Sequence, residues 1–156
     1  MNNEREFKSA FKKSVKAQGG FALSLAAPMV SGLPDLYVIM PGYIPLMLEA
    51  KWLGKFDRLF CRKIPYTARQ LDILNDINMV NSGTAFGLIG FEFEKVVQCT
   101  LVHPRMEEIN TTDSKSPKNQ IINGIKDFIE GKLNVKQLGE IADRWIRTGD
   151  ANLKAL

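Results

Sequence analysis

Apolar residues recur every four positions near the start of the chain, at Phe7, Phe11 and Val15, with Ala10 and Ser14 beside them. That spacing returns to one face of a helix and predicts one over residues 3–17. Arg5, Lys8, Lys12, Lys13 and Lys16 take much of its remaining surface, and Gly19-Gly20 stops it. The period then changes. Residues 21–27 are a short apolar run that suits a first strand, followed by a loop over 28–34 that contains Ser31-Gly32. Residues 35–40 (DLYVIM) are rich in strand formers, Pro41-Gly42 is a turn signal, and residues 44–50 (IPLMLEA) make the second arm of a hairpin. Residues 52–66 read as irregular and basic. Thr67 caps a helix running to about Val80, with Leu71, Leu74, Ile77 and Met79 as its apolar positions. Residues 84–90 (TAFGLIG) and 95–102 (KVVQCTLV) are two further strands.

Residues 105–117 form a polar linker, and the stretch low in apolar residues, NTTDSKSPKN, spans 110–119. Two short helices are predicted beyond it, over 118–131 and from the capping Asn134 onward; in the second, Leu138, Ile141, Ala142, Trp145 and Ile146 make an apolar stripe. The element order is α-β-β-β-α-β-β with a helical tail. It predicts an α/β (α+β) architecture: a mixed central sheet of about five strands flanked by helices, with a C-terminal helical extension. The core is expected over 1–104 and the extension over 118–156, either packed on the core or forming a dimer contact.

A chain of 156 residues suits one domain, and its 45% hydrophobic and 24% charged residues are ordinary for a globular protein. No apolar run approaches the roughly 18–20 residues that span a bilayer. The N-terminus has no apolar signal core, so a cytoplasmic protein without a membrane partner is expected. Two cysteines and one histidine leave no zinc-finger spacing. The net charge of +4 supports nucleic-acid binding only weakly by itself.

Position says more than composition. Asp35 opens one apolar strand, Glu49 closes the next, and Lys51 follows two residues later. Side chains alternate along a strand, so Glu49 and Lys51 share a face, about 6–7 Å apart. Asp35 joins them if Pro41-Gly42-Tyr43 is a three-residue turn: paired numbers then sum to 84, and Asp35 stands opposite Glu49 with Cβ atoms roughly 4.5–5.5 Å apart. A two-residue turn would send the acids to opposite faces. Two carboxylates that close repel unless a cation lies between them. Mg²⁺ takes one or two protein carboxylates and keeps several waters, and the Ala50 carbonyl is a further oxygen within reach. Lys51 is then available to orient a bound water or to stabilise developing negative charge.

The segment Ser31-Gly32-Leu33-Pro34-Asp35, then strand, turn and strand, then Glu49-Ala50-Lys51, then Tyr66-Thr67-Ala68-Arg69-Gln70 on a helix resembles the PD-(D/E)xK nuclease superfamily. Within it, the likeness is to the virus-type replication–repair nuclease domain (VRR-NUC) and to archaeal and phage Holliday-junction resolvases. It covers about residues 4–102. The resemblance implies a restriction-endonuclease-like fold and a Mg²⁺-dependent endonuclease acting on DNA, with Mn²⁺ able to substitute and no small-molecule cofactor. It implies Asp35 and Glu49 as metal ligands, Lys51 as the catalytic lysine, and Gln70 as a residue holding the site or the scissile phosphate. An acid on the first helix also belongs to the pattern; Glu6 is the better match and Glu4 the second. Branched-DNA cleavage in phage replication, recombination or repair is the finer expectation.

Lys51, Lys55, Arg58, Arg62, Lys63 and Arg69 lie in one short stretch with Trp52, Phe56, Phe60 and Tyr66 interleaved. Cations there would neutralise phosphates and aromatics would stack on bases, which makes Lys55, Arg58, Arg62, Lys63, Tyr66 and Arg69 the expected DNA-binding residues. Ser31 either binds a phosphate or shapes its loop. A homodimer is favoured, since cutting two strands symmetrically needs two sites. The alternative to an enzyme is a nucleic-acid-binding accessory protein on a nuclease fold, for which a carboxylate pair has no use.

Overall fold

In the computed structural model, residues 2–17, 19–25, 31–39, 45–80, 84–110 and 112 are described. The turn expected at 41–43, the end of the first expected strand and both expected C-terminal helices lie outside them. The elements are α1 (Glu4–Ala17), β1 (Phe21–Ser24), β2 (Leu36–Ile39), β3 (Leu46–Phe56), β4 (Cys61–Lys63), α2 (Ala68–Val80), β5 (Ala85–Phe93), β6 (Val96–Val102) and β7 (Glu108–Asn110).

Five strands form one mixed sheet in the order β1-β2-β3-β5-β6, with β3 and β5 parallel and the other neighbours antiparallel. A parallel pair needs a crossover, and α2 lies in it. The β2–β3 pairs are Leu36 with Leu48, Tyr37 with Met47 and Val38 with Leu46, so paired numbers sum to 84. That is the register the three-residue turn requires.

The face of α1 predicted from its spacing is the buried one: Phe7, Phe11 and Val15 pack with Leu36, Val38, Leu48, Ala50, Phe86 and Leu88 of the sheet. Phe7 lies against Gly90, where an added Cβ would come within 2.5 Å of its ring, and its centroid is 5.7 Å from that of Trp52. Because side chains alternate, odd-numbered residues of β5, and of β3 as far as Leu53, face the other side. There Ile89 and Phe91 join Phe60, Ile64, Val102, Met106 and Ile109 in a second cluster.

Two expectations need correction. Residues 52–66 are not irregular throughout: β3 runs on to Phe56 past a register shift between Trp52 and Lys55, and Cys61–Lys63 is a strand. Glu108–Asn110, inside the expected linker, pairs with it as β7 and buries Ile109. Burial of Phe60, Ile64, Met106 and Ile109 under the sheet outweighs the polar composition of these segments. No helix among the described residues is long and apolar enough to cross a membrane.

Candidate active site

Continuing the β2–β3 register by one residue sets Asp35 opposite Glu49, and by two sets Pro34 opposite Ala50. The hydrogen bonds agree. The Ala50 amide donates to Asp35 Oδ2 at 3.0 Å, and the Asp35 carbonyl accepts from the Leu25 amide at 2.8 Å. N–H and C=O of one strand residue point to the same side, so the Ala50 carbonyl faces the Asp35 edge. Proline has no N–H to give it. The Pro34-Asp35 pair thus ends the ladder and turns a backbone oxygen toward the carboxylate. The loop carrying these residues is pressed onto α2. Gly32 has φ +81°, and a Cβ there would meet Arg69 Cγ at 2.7 Å and Arg69 backbone at 3.0 Å, so both conformation and space call for glycine.

Glu49 is 2% exposed. Its Oε1 accepts from Gln70 Nε2 at 2.6 Å and from Lys51 Nζ at 3.1 Å. Its Oε2 is buried with no protein partner. Burial first, then the charge of Asp35, lifts its pKa from 4.5 to about 7, against the opposing pull of Lys51.

The orientation of Gln70 is set by the start of α2. The Thr67 amide donates to Gln70 Oε1 at 2.9 Å while Thr67 Oγ1 accepts from the Gln70 amide at 3.1 Å, a reciprocal capping box. With Oε1 taken up by the cap, Nε2 is the end left for Glu49. Gln70→Ala should lose both the charge-assisted bond and half of the cap, costing about 2 kcal/mol at pH 8 by urea unfolding. A loss below about 0.5 kcal/mol would mean the two bonds do not act together.

The first helix supplies a group that sequence reasoning passed over. Lys8 Nζ lies 3.4 Å from Asp35 Oδ1 and 3.8 Å from Glu4 Oε1. Glu4 also adds to the charge acting on Glu49. Glu6, the better sequence match, is elsewhere: its exposed carboxylate accepts from the Asn2 amide at 2.8 Å, and its own amide donates to Asn3 Oδ1 at 2.9 Å. It belongs to the N-terminal cap of α1. The signal was present, because Asn3 followed three residues later by Glu6 is a capping spacing.

The expected DNA-binding residues divide. Arg69 and Ser31 are exposed, and Ser31 adjoins Gly32, where the loop touches Arg69 of α2. Lys55, Arg58, Arg62 and Lys63 are exposed too, but Lys55 is six residues along β3 from Glu49, about 20 Å away. Lys55 pairs with Glu92 at 3.8 Å, Lys63 stands opposite Glu108, and Arg62 lies 5.3 Å over the Phe56 ring. The aromatics do not stand out as base-stacking platforms. Phe56 stacks on Phe60 at 3.8 Å, Phe60 meets Phe91 edge-on at 5.1 Å, and Trp52 packs on Phe7. Tyr66 points inward, its hydroxyl buried. Hydrophobic burial claims these rings before a ligand does.

Among the described residues no group of three or more His, Cys, Asp or Glu is arranged to hold a metal ion. The donors gathered here are two carboxylates and a backbone carbonyl. That all-oxygen set fits a hard cation that keeps much of its water, as Mg²⁺ does.

No protein-family model matches the chain, and no curated protein matches it in sequence. Solved structures similar to it include Hjc, a Holliday junction resolvase from the archaeal hyperthermophile Archaeoglobus fulgidus. The two share 14% identity over 69% of this chain and 88% of that one, with a TM-score of 0.46. A VRR-NUC domain is similar at 22% identity, over 61% of this chain and 89% of that one, with a TM-score of 0.43.

Proposed function

We propose that the chain is a divalent-metal-dependent endonuclease that hydrolyses DNA phosphodiester bonds, with branched DNA as its preferred substrate. The observation that carries this reading is the Glu49 Oε2 atom: a buried carboxylate oxygen with no protein partner, beside Asp35 and backed by Lys51. A buried acid is costly unless something pairs with it. Asp35, Glu49 and the Ala50 carbonyl would hold Mg²⁺, with Mn²⁺ as a substitute. When bound, the cation polarises the scissile phosphate and lowers the pKa of a coordinated water.

The remaining steps belong to the chain. Gln70 holds Glu49 Oε1 so that Oε2 is the oxygen presented. Lys51, 12% exposed and anchored on the same Oε1, orients the attacking water or stabilises the charge that builds on the phosphate. Lys8 neutralises Asp35 from the α1 side. Arg69 and Ser31 hold the phosphates flanking the cut, and the cations near the far end of β3 extend the footprint along the duplex. Two such sites in a homodimer would cut both strands of a junction. The motif resemblance favours a role in phage DNA recombination or repair.

The test is a cleavage panel of labelled four-way-junction, linear duplex, single-stranded and supercoiled DNA with Mg²⁺. Cutting that is strongest on the junction and abolished by EDTA is expected. If every substrate stays intact in both Mg²⁺ and Mn²⁺, the reading fails.

A further inference from the structure

Two buried side-chain oxygens among the described residues have no protein partner: Glu49 Oε2 and the Tyr66 hydroxyl. Gly87 links the two. Gly87 is the ladder partner of Glu49 in the parallel β3–β5 pair, so the two positions share a face on strands about 4.8 Å apart. A Cβ on Gly87 would collide with Tyr66 Oη and come within 3.0 Å of Tyr66 Cζ. The phenol therefore descends into the space that a side chain at 87 would fill, directly beside the Glu49 side chain. Burial first, and then the charge of Glu49, both push the phenol well above its usual range. Its backbone is tied down by the Tyr66 amide donating to the Ile64 carbonyl at 2.9 Å, and its ring packs on the second core cluster.

A buried hydroxyl seated over the ladder partner of a buried carboxylate, with neither oxygen bonded to any protein group, is placed to serve a third group. We propose that Tyr66 is a positioning residue whose hydroxyl, seated over Gly87, donates a hydrogen bond to a water ligand of the cation held by Asp35 and Glu49. This rests on the reading of the site as a cation centre. It replaces the stacking role that the sequence suggests for Tyr66, and it gives Gly87 a reason: any side chain there would expel the hydroxyl. Outer groups of this kind orient metal ligands, and losing one costs roughly 10–100-fold in affinity or activity.

Tyr66→Phe removes the hydroxyl and keeps the ring. Deleting an unpartnered buried hydroxyl should leave the metal-free melting temperature unchanged or raised. Mn²⁺ affinity, followed by the electron-spin resonance of the free ion, should fall about 10-fold. The water-proton relaxation of the bound ion should change, and added Mg²⁺ should recover part of the lost cleavage. In Gly87→Ala the same affinity loss is expected, and the double variant should lose no more than either single one. A purely structural tyrosine would leave relaxation and affinity untouched. If Tyr66→Phe binds Mn²⁺ as tightly as wild type, with the same relaxation, the inference about Tyr66 is overturned while the cation centre stands. If wild type itself binds no Mn²⁺, both are overturned.

Discussion

Glu49→Gln should abolish DNA cleavage, by roughly 10³-fold or more, while raising the melting temperature of the metal-free protein at pH 8. The loss follows from removing one of two carboxylate ligands, since a cation's stabilisation of transition-state charge is worth several kcal/mol and about 4 kcal/mol is a thousandfold. The gain follows from the pKa. Glu49 is lifted from 4.5 to about 7 in the fold, by burial and then by Asp35. A carboxyl with a raised folded pKa holds its proton more tightly folded than unfolded. Stability from this group is therefore greatest at low pH, falls as pH rises from 4.5 to about 7, and levels off above, a change on the order of 3 kcal/mol. Glutamine stays neutral throughout. The variant should melt several degrees higher than wild type in EDTA at pH 8, and the difference should vanish near pH 5. Differential scanning calorimetry at the two pH values checks this. A lower melting temperature at pH 8 would show that Glu49 serves the fold through Lys51 and Gln70 and is not held there for a ligand.

Phe7→Ala should cost about 3–5 kcal/mol, a large part of the roughly 5–15 kcal/mol that holds a domain of this kind together. Phe7 is 1% exposed, lies against Trp52, and fills the notch left by Gly90, where no side chain competes for the space. Nothing nearby can collapse into the gap, because Phe11, Leu88 and Ala50 are themselves fully packed. The effect should reach the site as well, since α1 carries Lys8 and Glu4 to Asp35. Urea unfolding measures the loss; a cost below 1 kcal/mol would contradict this account of the core.

How far the sequence foretells these features depends on how local each one is. The buried face of α1 follows from the spacing of Phe7, Phe11 and Val15, and the shared face of Glu49 and Lys51 from strand alternation. The hairpin register needed one further step, the demand that two acids serve one chemistry, and the observed pairs sum to the same 84. Features that depend on distant partners were not legible. The exposed Cys61–Lys63 has no apolar alternation to mark it as a strand, and it is ordered by pairing with Glu108–Asn110 some 45 residues away. The inward turn of Tyr66 depends on a missing side chain at Gly87, in another strand. Lys8 looks like one more cation on a basic helix until Asp35 is brought beside it. Glu6 is the opposite case: its carboxylate and amide are engaged locally, with Asn2 and Asn3, in a capping spacing that the sequence itself carries.

Calorimetric titration of Mn²⁺ into the wild-type chain and Glu49→Gln bears most directly on the central claim. One ion per chain should bind the wild type, with proton release below about pH 7 as Glu49 gives up its proton, and that binding should be lost in the variant. Equal binding by both proteins, or none by wild type, would contradict a metal-dependent nuclease centred on Asp35 and Glu49.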